Sequence, residues 1–163
     1  MAQEIERKFL VVGDRWREQA VGQLYRQGYI STARPGQTVR VRVAGEQGYL
    51  TIKGPTTGIT RTEFEYPIPL ADANEMLETM CDRPIVEKTR YCLPIKDLVW
   101  EIDEFAGENA GLIVAEVELT SASQEIDIPA WIGQEVSGDS RYYNASLSAQ
   151  PYRTWAANSV DKD

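Results

Sequence analysis

The charged residues of this chain fall in sorted groups spaced two apart. Glu4, Glu6 and Lys8 come first, then Arg40 and Arg42, Lys53, Glu63 and Glu65, Lys88 and Arg90, Glu101 and Asp103, and Glu116 and Glu118. Arginine forks and lysine ammoniums approaching from several walls suit a multiply charged phosphate chain. Carboxylates grouped without histidine or cysteine suit hard, oxygen-seeking cations such as Mg²⁺ or Mn²⁺. A metal-complexed polyphosphate would satisfy both sets. The chain contains no histidine, which removes Ser-His-Asp and Cys-His catalysis, a histidine base and the usual zinc sites. Neither GxxxxGK[ST] nor GxGxxG leading into a helix occurs, so strands must hold any phosphate.

Positioning these residues falls to segments of period-two alternation. Strands are expected over Gln3 to Val11, Gln23 to Ser31, Thr38 to Ala44, Gly48 to Lys53, Ile59 to Ile68, Ile85 to Leu93, Leu98 to Phe105 and Leu112 to Thr120. Turn chemistry such as Ala33-Arg34-Pro35-Gly36 and Gly107-Glu108-Asn109-Ala110-Gly111 separates neighbours closely enough for hairpins. An antiparallel sheet follows. Its ionic face has two readings: a solvated face of a half-wet sheet, or the lumen of a closed eight-stranded barrel. Sorting of acids and bases onto separate strands favours a ligand, because unpaired charges removed from water cost several kcal/mol each.

Helices are expected in three places. Asp14 can cap a short helix to Ala20, and Ala73, Met76, Leu77 and Met80 form an apolar stripe. Past Pro129 the pattern turns helical, with Asp139 or Ser140 a cap for a segment to about Ala149. Trp16, Trp100, Trp131 and Trp155 read as packing, since no basic stretch interleaves with them.

The 163 residues suffice for one domain, expected over 1–155, with a flexible tail over 156–163. Seventeen Lys and Arg against 25 Asp and Glu, a net charge of −8, argue against a protein that coats nucleic acid or anionic lipid. No apolar run has the length of a membrane helix, the first residues lack signal-peptide character, and the cytoplasm is the expected address. Cys81 and Cys92 lie outside metal-knuckle spacing and are expected to be buried and reduced.

Glu4-Ile5-Glu6-Arg7-Lys8 has the ExExK form that opens the CYTH, or triphosphate tunnel metalloenzyme, family. The chain also resembles that family in Arg40-Val41-Arg42, Leu50-Thr51-Ile52-Lys53-Gly54, Arg61-Thr62-Glu63-Phe64-Glu65 and Glu87-Lys88-Thr89-Arg90-Tyr91. Glu101-Ile102-Asp103, Glu116-Val117-Glu118 and Asp139-Ser140-Arg141-Tyr142-Tyr143-Asn144 extend the resemblance to nearly the whole chain. It implies a closed eight-stranded antiparallel tunnel with a few flanking helices. Lys8, Arg40, Arg42, Lys53, Lys88 and Arg90 would grip triphosphate, and Glu4, Glu6, Glu63, Glu65, Asp103, Glu116 and Glu118 would hold Mg²⁺ or Mn²⁺. Tyr29 beside Lys8 is a candidate dyad for proton removal, with a packed strand aromatic as the alternative; a Tyr or Lys base favours alkaline pH. Tyr143 and Asn144 stand equally between site and packing roles. Family members include inorganic, thiamine, RNA and nucleoside triphosphatases and class IV adenylyl cyclases. Cyclase-type members carry a His-Phe pair upstream of ExExK that this chain lacks. The short form opening Glu4-Ile5-Glu6-Arg7-Lys8-Phe9-Leu10-Val11 resembles bacterial enzymes that split inorganic triphosphate into pyrophosphate and phosphate. A non-catalytic polyphosphate-binding module and a plain interaction domain are the rival readings; the expected state is monomer or homodimer.

Overall fold

The computed structural model describes residues 3–155; the tail expected over 156–163 lies outside them. The elements run β1 (Gln3–Val11), a 3-10 turn (Arg15–Gln19), β2 (Gly22–Ile30), β3 (Thr38–Ala44), β4 (Gln47–Lys53) and β5 (Thr60–Ile68). Then come α1 (Leu70–Thr79), β6 (Val86–Ile95), β7 (Leu98–Phe105), β8 (Ile113–Glu118), β9 (Ile132–Glu135) and α2 (Asn144–Ala149), with short 3-10 turns at Gly107–Asn109 and Ser140–Tyr142. No helix among the described residues is long and apolar enough to cross a membrane.

The sheet order is β5-β4-β3-β2-β6-β7-β8-β1, every pairing antiparallel, and a β5–β1 pairing closes the ring. Closure is brief: Gln3, Glu4 and Ile5 pair with Thr62, Arg61 and Thr60. Beyond that point the same edge of β1 accepts β9, with Val11 opposite Ile132 and Phe9 opposite Glu135. This corrects only the start of the helical pattern expected past Pro129; the segment capped at Asp139 does turn helical, through Ser140–Tyr142 and α2, and ends at Ala149 as expected. Four residues carry too little alternation to announce a strand, and what makes them one is the length of β1 edge that β5 leaves unpaired.

The hydrophobic core lies outside the ring. Phe9, Trp100, Ile102, Ala115, Val117 and Leu119 face away from the lumen and are covered by Trp16 and Ile132. On the other side Val41 and Val43 pack under Ala73 and Leu77 of α1. The helix lies close because Gly48 and Gly28 have no side chain: a Cβ at Gly48 would come within 2.8 Å of Ala73, and one at Gly28 within 2.7 Å of the Cys81 Cβ. Met80, expected on the apolar stripe, is 62% exposed, because it is the residue that ends α1. Asp14 makes no side-chain cap; its carbonyl receives the Arg17 N–H at 3.1 Å instead. Trp16 packs edge-on against Tyr91, and Trp100 against Trp131, as their packing reading expects. Both cysteines are free, but Cys81 is half-buried and Cys92 exposed. Tyr91 and Leu93 turn towards the core, so alternation directs Cys92 the other way.

Candidate active site in the charged lumen

With apolar side chains outside, each strand turns its ionic set inward around a cavity of about 960 Å³. Passing round the ring through β5, β4 and β3 puts β2 across the lumen from β1. An acidic arc on β5, β1 and β8 therefore faces Arg40 and Arg42 on β3 and Lys88 and Arg90 on β6. Glu4, Glu6, Lys8, Arg40, Arg42, Lys53, Glu63, Glu65, Lys88, Arg90, Glu116, Glu118 and Tyr29 all line this cavity, as does Glu101.

One end is stopped. The same strand faces continue from Lys8 to Leu10, from Lys88 to Val86, from Asp103 to Phe105 and from Glu116 to Val114. These apolar residues gather with Tyr29 beneath Leu147 of α2. The 3-10 turn before α2 is capped by Asp139, whose side chain accepts from the Arg141 N–H.

Directly against this apolar stop lies a buried ion cluster. Asp103 is fully buried and accepts from Lys88 Nζ at 2.7 Å, Arg90 Nε at 2.7 Å and Arg90 Nη2 at 2.8 Å. Burial raises a carboxyl's pKa, but Arg90 and Lys88 outweigh it and hold Asp103 well below the usual carboxylate range. Both oxygens are engaged and Asp103 is absent from the cavity lining, so the carboxylate at this position, expected to bind metal, anchors two cations of the lumen wall. Parity along β7 fixed its face but not its depth. Lys88 itself is pulled down to about 7, chiefly by burial, with Arg90 and Arg42 adding to the fall against Asp103.

Around the acidic arc, Glu6 stands opposite Glu118 across β1 and β8, and Lys8 opposite Glu116. Lys8 Nζ lies 3.5 Å from Glu116 and 4.0 Å from Glu6. Burial would neutralise Lys8, but Glu116 and Glu6 outweigh it and raise its pKa, so Lys8 is a cation here. No hydrogen bond joins it to Tyr29 among the described residues; the Tyr29 hydroxyl accepts from Gln27 Nε2 at 2.8 Å. Lys53 sits between Glu4 at 2.9 Å and Glu63 at 3.2 Å. Burial and the Glu116 charge push Glu6 up to about 8, and burial with Glu4 and Glu101 raises Glu118. Glu4 is raised by burial and by its hydrogen bond with Glu63. Among the described residues no three carboxylates form a ready-made metal cage. What the acidic arc has is an excess of close carboxylates over cations, the condition that a hard divalent cation relieves.

The opposite arc has the complementary demand. Arg40 is buried; its Nη2 donates to Thr51 Oγ1 and Glu65 Oε2, each at 3.2 Å, while its Nε has no partner. That Nε is the one buried side-chain polar atom without a partner among the described residues, a donor whose acceptor the protein does not itself supply. Burial, with the neighbouring Arg40 and Arg90 charges, lowers Arg42 to about 10.

Neutral residues that ionic patterning could not reveal complete the wall. Tyr25 lies between Arg42 and Arg90, their guanidinium carbons 4.9 and 5.0 Å from its ring centre. Gln27 accepts from Arg42 Nε at 2.9 Å. Asn144, the first residue of α2, accepts from Lys88 Nζ at 2.9 Å and from Gln27 Nε2 at 3.1 Å. Tyr143 stacks beneath Lys8, its ring centre 5.5 Å from the ammonium. Arg61 shares the parity of Glu63 and ties two rim loops together through the Gly54 carbonyl and Thr38 Oγ1.

A closed antiparallel barrel with opposed ionic arcs inside and its core outside is a charged-tunnel protein. The CYTH domain pattern matches residues 2–152, and the chain belongs to the CYTH domain family. It is 50% identical over 155 residues to an inorganic triphosphatase from Acetivibrio thermocellus, covering 95% of this chain and 99% of that protein. It is 38% identical over 152 residues to an inorganic triphosphatase from Nitrosomonas europaea, covering 89% and 96%. A crystal structure of an inorganic triphosphatase superposes with a TM-score of 0.63 at 36% identity, covering 91% of this chain and 95% of that one.

Proposed function

We propose that this protein is a divalent-metal-dependent phosphohydrolase that splits inorganic triphosphate into pyrophosphate and phosphate inside its charged lumen. The observation that carries the reading is the facing of the two arcs: a cationic wall with an orphaned Arg40 Nε, against a wall whose carboxylates outnumber the cations Lys8 and Lys53. The near-full-length likeness to two inorganic triphosphatases supports the choice of substrate.

Arg40, Arg42, Lys88 and Arg90 bind the phosphate oxygens on one side, and Lys8 and Lys53 reach them from the other. Glu6 and Glu118, with Glu4, Glu63, Glu65 and Glu116 around them, would hold Mg²⁺ or Mn²⁺. Bound there, the ion supplies Lewis-acid neutralisation of phosphate oxygens. Asp103 orients Lys88 and Arg90 from beneath. Tyr29, with its hydroxyl at the closed end of the cavity, is the side chain we assign to relaying the proton of the attacking water, its oxygen taking that proton as its own hydrogen passes to a phosphate oxygen, beside a Lys8 kept charged by Glu116 and Glu6. Of the rings that line the lumen, Tyr25 is held between two guanidiniums and Tyr143 lies under Lys8, while Tyr49 on β4 lines it as well.

Phosphate release from triphosphate, pyrophosphate, ATP and thiamine triphosphate, each with Mg²⁺, Mn²⁺ or chelator over pH 7 to 10, tests the reading. Metal-dependent release from triphosphate above the other substrates is expected. Tight triphosphate binding without release in any arm would make the protein a binding module instead.

A further inference from the structure

We infer that Gln27 is a positioning residue that aims three phosphate-facing donors, the Arg42 guanidinium, the Tyr29 hydroxyl and the Lys88 ammonium, from one buried amide. The inference rests on the triphosphatase reading and adds to it a residue with no charge of its own.

Gln27 is fully buried on β2, between β3 and β6, which carry four of the lumen cations. Its Oε1 accepts from Arg42 Nε at 2.9 Å, and its Nε2 donates to Tyr29 Oη at 2.8 Å and Asn144 Oδ1 at 3.1 Å. The neighbours allow only one amide orientation. Arg42 Nε–H can only donate, so oxygen must face it, and nitrogen must then face Tyr29 and Asn144.

Each bond has a consequence in the lumen. Tying Arg42 through Nε leaves both Nη groups, which have no protein partner among the described residues, pointing forward as a fork. Making the Tyr29 oxygen an acceptor leaves its own hydrogen free for an oxygen in the cavity. Holding Asn144 Oδ1 fixes an acceptor that also takes Lys88 Nζ at 2.9 Å. With Asp103 taking a second Lys88 hydrogen, one of the ammonium's three donors remains for substrate. The same amide secures α2, whose N-cap residue Tyr143 makes no side-chain cap, across the closed end of the lumen.

The test uses Gln27→Met, which fills the volume without hydrogen bonds, and Gln27→Glu, which keeps the acceptor for Arg42 but cannot donate. Both are compared with Asn144→Ala and with the Gln27→Met/Asn144→Ala double variant. The readouts are kcat and KM for triphosphate with Mg²⁺, metal-free triphosphate binding by calorimetry, and thermal melting. Gln27→Met is expected to weaken metal-free binding and kcat/KM by about tenfold to a hundredfold while melting cooperatively. Gln27→Glu should bind better than Gln27→Met but turn over as slowly, because the Tyr29 hydrogen rotates onto the new carboxylate. The double variant should be little worse than Gln27→Met, since both changes break one network. Wild-type kcat/KM in a folded Gln27→Met or Gln27→Glu protein, or full multiplication of effects in the double variant, overturns the inference. Absence of triphosphate turnover in the unaltered protein would overturn the underlying reading instead.

Discussion

Replacing Asp103 by Asn separates the two roles that a lumen carboxylate can have. The side chain keeps its shape, but one of its oxygens becomes an amide that faces a donor it cannot accept from, among Lys88 Nζ and Arg90 Nε and Nη2, all now within 2.8 Å. Lys88 and Asp103 are fully buried and Arg90 is 7% exposed. Breaking a buried ion pair in this way costs about 3–5 kcal/mol. At roughly 2–4 °C per kcal/mol for a chain of this size, the metal-free protein should melt about 6 to 20 °C lower. Lys88 already sits at about 7 with Asp103 present; without that anion its pKa falls further and the ammonium is lost at neutral pH. Metal-free triphosphate binding, followed by calorimetry at pH 7, should therefore weaken about tenfold to a hundredfold. Mn²⁺ affinity should stay unchanged, because Asp103 does not line the cavity. Loss of Mn²⁺ affinity with intact triphosphate binding would refute the reasoning and restore Asp103 as a metal ligand. So would melting within about 2 °C of the unaltered protein.

Glu6 carries the opposite sign. Its pKa is raised by burial and Glu116, so the stability that its neutral form contributes to the metal-free protein is full below about 4.5 and is lost as pH rises through about 8. Glu6→Gln should flatten the metal-free melting temperature between pH 5 and 8 and remove the proton release that accompanies Mn²⁺ binding at pH 7; an unchanged melting profile contradicts this assignment. Arg40→Met should leave metal-free melting equal or higher, since it removes a guanidinium with an orphaned buried Nε, while weakening triphosphate binding about tenfold or more. Lower melting with undiminished binding would count against an anion site there. Tyr29→Phe should lower kcat about a hundredfold or more with little change in binding. An unchanged kcat removes Tyr29 from proton transfer.

Much of the ring was legible because alternation marks strands whose two faces differ chemically. Thr38–Ala44 and Leu98–Phe105 are bounded as expected, since charge and apolar residues alternate there without interruption. β9 escaped because Ile132–Glu135 is a strand only through the edge of β1 beside it. The ionic lining was readable for the same reason as the strands: parity assigns a face. Parity says nothing about depth, so Asp103 on β7, beneath two cations, and Glu65 on β5, at a more exposed place, looked alike in sequence. Gln27 and Tyr25 were invisible for another reason. They act by orienting charges that neighbouring strands supply, and neither residue type stands out in a strand.

Anomalous diffraction from crystals grown with Mn²⁺ and inorganic triphosphate tests the central claim most directly. Manganese is predicted beside Glu6 and Glu118, with phosphate oxygens on Arg40, Arg42 and Arg90 and one of them within hydrogen-bond distance of Arg40 Nε. Manganese or triphosphate bound only on the outer surface, with the lumen holding solvent alone, would contradict the account.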